Sequence, residues 1–114
     1  MKYDENNIFA KILRGEIPCN KIYEDDFVLS FYDINPQKKI HALVIPKGKY
    51  IDLDDFNDNA SNDEIIGLMK GITKVSKKLG ISSFGGDGYR ALANISDYGG
   101  QEVPHLHFHL FGGE

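Results

Sequence analysis

Three histidines occupy alternate positions near the end of the chain, in the stretch PHLHFHLFGG at residues 104–113. Successive side chains of a β-strand point to opposite faces of its sheet, so His105, His107 and His109 are expected to share one face. The apolar residues between and after them would point into the core, and these are Leu106, Phe108 and Leu110. The pattern therefore predicts a rigid row of imidazoles, about 6.5–7 Å apart, along one strand.

Such a row has three chemical interpretations. It could be a polar face on which histidine has no special role. It could be a metal site, because two histidines at positions i and i+2 can chelate zinc or copper, although no cysteine or obviously placed carboxylate joins the row in the sequence. It could also serve nucleophilic catalysis at phosphorus. In that case one imidazole attacks, while a second neutralises the phosphate and donates a proton to the leaving group.

Imidazole chemistry suits the third interpretation. A free imidazole has a pKa of about 6.5, so at pH 7 most of it is neutral and carries a nucleophilic lone pair. An attacking histidine needs one ring nitrogen free and the other fixed by an acceptor. A strand with histidines at i and i+2 supplies both the nucleophile and the donor on one rigid element.

Short β-rich runs must hold this row in place. The predicted strands are CNKIYE, FVLSFYD, IHALVIP, GYRALANIS and VPHLHFHLFG, with DINPQ as a loop. The stretch NIFAKILRG predicts a short N-terminal helix that ends at Gly15, and YIDLDDF suits a helical turn. The predicted fold is α+β, a single domain over residues 1–114 with about five antiparallel strands, one long helix and the short N-terminal helix.

The long helix has clear start and stop signals. Ser61 and Glu64 form an S-x-x-E capping box, and Gly80 is placed to end the helix. Its apolar stripe consists of Ile65, Leu68, Met69, Ile72, Val75 and Leu79. Gly67 and Gly71 lie one turn apart on it. They either have no special role or let another backbone approach closely, for example that of a second copy of the chain.

Bulk composition excludes several classes of protein. The chain has 114 residues, a net charge of −4 and one cysteine, so it forms no internal disulfide. The negative charge argues against a nucleic acid polymer as the main partner. No apolar run approaches the roughly 20 residues of a membrane helix, and the N-terminal MKYDENN lacks the apolar core of a secretion signal. We therefore expect a cytoplasmic protein without a membrane partner.

The stretch HLHFHLF matches the alternating signature of the histidine triad (HIT) family of nucleotide hydrolases and transferases. Over nearly its whole length the chain resembles the Hint branch of that family, and bacterial members most closely. The stretches that carry the resemblance, in the same order and at the usual separations, are NIFAKILRGEIPCNKIYEDD, FYDINPQ, HALVIPK and NISDYGGQEVPHLHFHLFGG. The resemblance implies a HIT-like fold.

The resemblance also implies roles for the histidines. His107 matches the nucleophile, which attacks the α-phosphorus of a nucleotide and forms a covalent nucleotidyl-histidine that water resolves. A backbone carbonyl of the same strand would hold its other ring nitrogen. His109 matches the residue that contacts the phosphate and helps the leaving group, and His105 and His41 match supporting positions. No cofactor and no metal are implied.

A nucleotide pocket is implied as well. Backbone N–H groups and amide donors around YGGQEV would bind phosphate, through Asn94, Gly100, Gln101 and Val103. Glu102 stands where vertebrate members carry a serine, and since an ionised glutamate cannot donate, its backbone N–H would have to make that contact.

Asp33 matches a carboxylate that binds the ribose hydroxyls, although an Asp at this point could equally cap the turn. The apolar slot for the purine would be formed by Ile8, Phe9, Ile12, Ile17, Phe31 and Ile34.

Together these implications describe a homodimeric hydrolase of purine nucleoside phosphoramidates, paired through the long helix and an adjacent strand. Its substrate would be a purine nucleotide such as adenosine 5′-phosphoramidate. A dinucleoside polyphosphate hydrolase, a nucleotide-binding regulatory module with low turnover and a metal-binding domain are the alternatives.

Overall fold

The computed structural model describes residues 2–114, and its centre is one antiparallel sheet. The helices are α1 (Ile8–Leu13), α2 (Leu53–Asn59) and α3 (Asn62–Lys78). The strands are β1 (Lys21–Glu24), β2 (Val28–Tyr32), β3 (Ile40–Pro46), β4 (Arg90–Leu92) and β5 (Phe108–Gly112). They lie in the order β1-β2-β3-β5-β4, so β3 and β5 are interior strands and β4 is an edge. The predicted five-stranded α+β fold is confirmed, with α2 as a third helix.

The helix ends follow from their capping residues. The backbone N–H of Glu64 donates to the Ser61 hydroxyl at 3.1 Å, and the Ser61 N–H donates to the Glu64 carboxylate at 3.0 Å. This reciprocal capping box confirms the predicted start of α3. Gly15 and Gly80 follow α1 and α3 with φ of 77° and 73°, a conformation that glycine adopts without a Cβ clash.

The two faces of the sheet bury different clusters, because successive residues of each strand alternate. On one face α3 packs over strand residues that include Val28, Ala42, Val44 and Leu110. The opposite face buries Phe9 of α1 with Leu29, Phe31, Leu43 and Ile45. Since β3 is covered on both sides, it is apolar almost throughout.

Gly67 and Gly71 make room for side chains of the same chain. A Cβ at Gly67 would lie 2.5 Å from the ring of Phe27, and one at Gly71 would lie 3.0 Å from a methyl of Val28. The glycines therefore let α3 approach β2 and the turn before it. The suggestion that they admit a backbone of a second copy is wrong.

The last strand is shorter than the sequence predicts. Strand β5 begins at Phe108, so only His109 of the three histidines lies in it. The register would place Leu106 opposite Pro46, which has no N–H to contribute to a ladder. The N–H of Leu106 donates instead to the Tyr50 carbonyl at 2.9 Å.

Side chains still alternate between the two faces of the sheet in the residues just before β5, although these residues are not a regular strand. Leu106 and Leu110 are buried in the α3 face, while His105 and His107 are buried on the other. Phe108 is only half-buried against the core. The fourth strand is also short, with three residues rather than the whole of GYRALANIS. No helix in residues 2–114 is long and apolar enough to cross a membrane.

Candidate active site

The face of the sheet opposite α3 carries the histidines. In the register of the interior strands, His109 of β5 lies between Leu43 and Leu92. Two residues further along, Phe111 lies between His41 of β3 and Arg90 of β4. His41 and His109 are therefore diagonal neighbours, and their ring centroids are 5.2 Å apart.

All four histidines are held in the neutral form by burial. Desolvation lowers the pKa of His105 to about 4, against the favourable contact with the Pro46 carbonyl. Desolvation, with repulsion from His107 and His41, lowers the pKa of His109 to about 4. Burial likewise lowers the pKa of His41 and of His107 from the ordinary value. At pH 7 each ring thus carries one N–H and one bare nitrogen.

His107 has the arrangement that a nucleophile requires. Its Nδ1 lies 2.7 Å from the backbone oxygen of His105. A carbonyl oxygen only accepts, so the proton of the neutral ring is on Nδ1 and the lone pair is on Nε2. The Phe9 ring packs edge-on against His107, with centroids 5.0 Å apart, and restricts rotation of the imidazole.

His105 is fixed in the opposite tautomer. Its Nε2 lies 2.9 Å from the carbonyl oxygen of Pro46 and must donate to it. The bare Nδ1 then accepts from the hydroxyl of Tyr3, at 2.6 Å. His105 is fully buried, so both ring nitrogens have partners where no water reaches them.

His41 orients His109 through a hydrogen bond between the two rings. The backbone N–H of Gln37 donates to Nδ1 of His41 at 3.2 Å, which places the His41 proton on Nε2. That Nε2 lies 2.9 Å from Nδ1 of His109 and donates to it. His109 therefore carries its own proton on Nε2. His107 thus presents a bare Nε2, and the neighbouring His109 presents an Nε2–H.

Two adjoining cavities meet at these rings. The triad cavity, of about 200 Å³, is lined by Phe9, Asp33, Asn35, Gln37, Leu43, Asn94, Gly100, Glu102, Val103, His107 and His109. The apolar cavity, of about 340 Å³, is lined by Ile8, Phe9, Ile12, Ile17, Pro18, Cys19, Asn20, Phe31, Tyr32, Asp33, Ile34, Leu43, Glu102 and Val103. Asp33 lies at their junction, as do Phe9, Leu43, Glu102 and Val103.

Most residues singled out in the sequence meet at these two cavities. All six residues predicted for an apolar slot line the apolar cavity, and Asn94, Gly100, Glu102 and Val103 line the triad cavity. Gly100 has a φ of 76°, so the turn does need glycine. His41 and His105 line neither cavity and support the other rings from beneath.

Gln101 is placed differently from the expected phosphate donor. Its side-chain amide donates to the carbonyls of Ile51 and Val103, at 2.6 and 3.0 Å, and its oxygen accepts from the N–H of Ser96. Those three bonds tie the loop together and leave no side-chain N–H for a ligand. Sequence reasoning also missed Tyr3, and it assigned no role to Leu43, Asn35 and Gln37, although these three lie in the stretches HALVIPK and FYDINPQ that carry the family resemblance.

A carboxylate does join the histidines, contrary to the expectation from sequence. Oδ2 of Asp33 lies 3.5 Å from Nε2 of His41, and its Oδ1 accepts from the N–H of Asn35 at 2.8 Å. One ligand atom each from Asp33, His41 and His109 falls within 4.8 Å of the other two. Two imidazoles and a carboxylate are a donor set that zinc accepts. In this structure, however, Nε2 of His41 and Nδ1 of His109 are already hydrogen-bonded to each other.

A larger depression, of about 470 Å³, lies between the end of α1 and strand β1 and includes Lys21, Glu24 and Lys47 in its lining. Both lysines pair with Glu24, at 3.0 and 2.8 Å. No histidine lines this depression, and its charges are paired with each other. The triad cavity, which is lined by His107 and His109, is therefore the candidate active site.

Known proteins are similar to this chain in sequence and in fold. The HIT domain family matches residues 14–114. A HIT-like protein of Azospirillum brasilense is 51% identical over 111 residues, which cover 97% of this chain and 88% of its own. The purine nucleoside phosphoramidase of Escherichia coli is 42% identical over 111 residues, covering 96% of this chain and 88% of its own. A solved HIT family hydrolase of Legionella pneumophila has a TM-score of 0.85 at 38% identity, covering 96% of this chain and 94% of its own. With this match over almost its whole length, the chain belongs to the HIT domain family.

Proposed function

We propose that the protein hydrolyses purine nucleoside phosphoramidates through a covalent nucleotidyl-histidine on His107. The observation that carries the proposal is the hydrogen bond from His107 Nδ1 to the His105 carbonyl, at 2.7 Å. It leaves Nε2 with a lone pair beside the triad cavity, and the lowered pKa keeps that lone pair unprotonated at pH 7.

The reaction then has two displacements at phosphorus. In the first, the Nε2 lone pair of His107 forms a bond to the α-phosphorus while the bond from phosphorus to the leaving nitrogen breaks. The bonding electrons leave on that nitrogen, which takes a proton from solvent, while the Nε2–H of His109 donates a hydrogen bond to the phosphate, since loss of its one ring proton would leave an imidazolate. In the second, water attacks the same phosphorus and releases a proton to solvent. The bond to His107 breaks, its electrons return to the imidazole, and the nucleoside monophosphate is released.

The apolar cavity supports a nucleoside as the rest of the substrate. Its aliphatic and aromatic lining suits a flat base, and Asp33 stands where the base-binding and phosphate-binding parts would meet. A ribose between base and phosphate would bring its hydroxyls to that carboxylate. Gly100 and the backbone around Glu102 line the part of the triad cavity where a phosphate would bind.

The nature of the bond cleaved is supported by similarity. The relative from Escherichia coli, 42% identical over 111 residues, is a purine nucleoside phosphoramidase. We therefore propose a phosphorus–nitrogen bond as the natural target, with dinucleoside polyphosphates and a binding function without turnover as outcomes to be tested.

A parallel assay tests the proposal. Purified protein is given adenosine 5′-phosphoramidate, guanosine 5′-phosphoramidate and diadenosine polyphosphates, and acid-quenched samples are analysed by mass spectrometry. We expect the phosphoramidates to be hydrolysed fastest, with a nucleotidyl adduct on His107. Faster hydrolysis of diadenosine polyphosphates would change the substrate class, and tight binding without turnover would identify a binding module.

We also propose a homodimer. Helix α3 exposes Ile66 and Met69, with 51% and 49% of their surfaces accessible, and Phe84 beyond the helix is 76% exposed. Strand β4 leaves an unpaired sheet edge. A second copy would cover such surfaces, and a monomer in sedimentation at micromolar concentration would contradict this. The cytoplasmic location expected from the sequence stays a prediction.

A further inference from the structure

A third cavity continues the groove beyond His109. This cationic cavity, of about 260 Å³, is lined by Gln37, Lys38, Arg90, Leu92, Asn94, His109 and Phe111. It shares Gln37, Asn94 and His109 with the triad cavity. The apolar cavity adjoins the triad cavity through a different set of residues. A substrate whose base occupies the apolar cavity therefore has its leaving group directed towards the cationic cavity.

Arg90 is positioned by strand pairing and by a stack of rings. It lies opposite Phe111 in the β4–β5 register, and its guanidinium carbon lies 5.7 Å from the centre of that ring. The Phe111 ring is in turn parallel to the ring of His109, with an interplanar angle of 4° and centroids 5.6 Å apart. The cation is thus fixed on the same face of the sheet as His109.

Lys38 comes to the same cavity from the loop between β2 and β3. The residue before it, Gln37, is pinned by the hydrogen bond from its N–H to His41. Within residues 2–114 no carboxylate lies within 4.0 Å of the charged nitrogens of Lys38 or Arg90. Lys38 and Arg90 therefore place two positive charges beside the reacting groups, and no carboxylate in the described part of the chain lies within ion-pair distance to neutralise either charge.

We infer that Lys38 and Arg90 form a leaving-group subsite that selects phosphoramidates whose leaving amine carries a negative charge. The inference rests on the proposed function, because it assigns the cavity next to His109 to the departing group. The cavity is smaller than the roughly 300–1,000 Å³ typical of drug-sized ligands, so the group it accepts is small. A carboxylate attached close to the leaving nitrogen fits both conditions, and the guanidinium of Arg90 suits a carboxylate.

The test compares two substrates that differ in one charge. These are adenosine 5′-phosphoramidates of glycine, which has a free carboxylate, and of glycinamide, which is neutral. The measured quantity is the ratio of kcat/KM for the two substrates. Any intrinsic difference between the two amines is the same for every variant and cancels when ratios are compared.

The variants are Lys38→Gln, Arg90→Gln and the double variant, with Arg90→Lys to restore the charge. Lys39→Gln is the matched control, because Lys39 is the exposed neighbour of Lys38 but does not line the cavity. An exposed ion pair contributes about 0.2–1 kcal/mol, so each Gln variant should lower the ratio by about 1.5- to 5-fold. The double variant should lower it by about 2- to 25-fold, whereas Arg90→Lys and Lys39→Gln should leave it near the wild-type value. Raising salt should bring the wild-type ratio towards that of the double variant.

A binding measurement separates failure of the subsite from failure of the hydrolase. The same two compounds are titrated into His107→Asn protein with and without the Lys38 and Arg90 substitutions, and the ratio of Kd values is compared. No turnover by the wild type, together with a Kd ratio that depends on Lys38 and Arg90, would overturn the proposed hydrolase and support the subsite. Ratios that are equal across all variants, or that fall as much in Lys39→Gln, would overturn the subsite.

Discussion

The hydroxyl of Tyr3 lies 2.6 Å from Nδ1 of His105, although 102 positions separate the two residues in the chain. This hydrogen bond ties the N-terminal segment to the segment that carries the histidines. The bonded ring donates from its other nitrogen to the Pro46 carbonyl, and the backbone oxygen of the same residue accepts from His107. Tyr3 therefore acts through His105 on the position of the predicted nucleophile.

Replacing Tyr3 by Phe should destabilise the protein. The substitution leaves Nδ1 of the fully buried His105 without a donor, which costs about 1–3 kcal/mol. Urea unfolding measures the loss. Tyr98→Phe is the control because Tyr98 is fully exposed and should change stability by less than about 0.5 kcal/mol.

A second readout shows whether Tyr3 also positions His105. Nitrogen-15 NMR of the imidazoles should show His105 as the Nε2–H tautomer in both proteins, because the Pro46 carbonyl remains, but the Nδ1 resonance should shift in Tyr3→Phe because its lone pair loses a donor. If Tyr3→Phe equals the Tyr98 control in stability and leaves the Nδ1 resonance unchanged, the hydrogen bond has no structural role.

Replacing His107 by Asn should abolish turnover and leave nucleotide binding nearly intact. The amide of Asn can still donate to the His105 carbonyl, but it has no nucleophilic nitrogen. Loss of a covalent catalyst costs about 10⁴-fold or more in kcat, while the Kd for AMP should stay within about 3-fold. A variant that keeps more than about a tenth of the wild-type rate would exclude His107 as the nucleophile.

Stability should decrease as the pH falls from about 6.5 to about 4. Burial lowers the pKa of His105 to about 4 from the ordinary 6.5, so in this range the unfolded chain binds a proton that the folded chain does not. The free energy of unfolding therefore falls through this range, by roughly 3 kcal/mol for this residue, and is greatest above it. The lowered pKa values of His41, His107 and His109 act in the same direction.

Urea unfolding between about pH 7.5 and pH 5 measures this dependence, since most carboxylates keep their charge there. His105→Gln removes one of the titrating groups, so its unfolding free energy should depend less steeply on pH. An unfolding free energy that is constant over this range in the wild type would show that the histidines are not held neutral by burial.

Activity should survive exhaustive chelation. His41 Nε2 bonds to His109 Nδ1 at 2.9 Å, which already orients the His109 proton without a metal between the rings. Elemental analysis of the purified protein and an assay in EDTA provide the measurements. Stoichiometric zinc, with activity lost in EDTA and restored by zinc, would instead favour metal binding by Asp33, His41 and His109.

Local patterns predicted the elements well, because their causes lie within a few residues. The capping box of α3 and the glycines that end α1 and α3 are of this kind. The alternation at residues 105–110 assigned the histidines to one face even though most of that stretch is not a regular strand. The alternation reflects which side chains are buried on each face of the sheet. It therefore persists where the backbone hydrogen bonds between strands are incomplete.

Features that depend on distant partners were missed or misjudged. The late start of β5 results from Pro46 and Tyr50, and the space at Gly67 and Gly71 is taken by Phe27 and Val28. The arrival of Asp33 beside His41 likewise depends on how the β2–β3 loop closes. Contacts of this kind have no signal in the local sequence, and the resemblance implied the tautomer of His107 but not those of His41, His105 and His109.

Asp33 should select ribose over deoxyribose, and two variants can separate this role from capping of the turn. Oδ1 of Asp33 accepts from the N–H of Asn35 at 2.8 Å, so the turn cap is real, while Oδ2 points towards His41 at 3.5 Å. Asp33→Asn keeps an oxygen for the cap but loses the second acceptor, and Asp33→Ala loses both. A hydrogen bond to a charged acceptor contributes about 1.5–3 kcal/mol. Both variants should therefore weaken ribonucleotide substrates by about 10- to 150-fold, mostly in KM.

Only Asp33→Ala should also lower the melting temperature, because only it removes the cap. A 2′,3′-dideoxy substrate never makes the bond to Asp33, so its kcat/KM should change little in Asp33→Asn. Any effect of the lost charge on His41 applies equally to both sugars and cancels in their ratio. If kcat/KM fell equally for the two sugars, and the melting temperature fell in Asp33→Ala alone, Asp33 would cap the turn and would not bind the ribose.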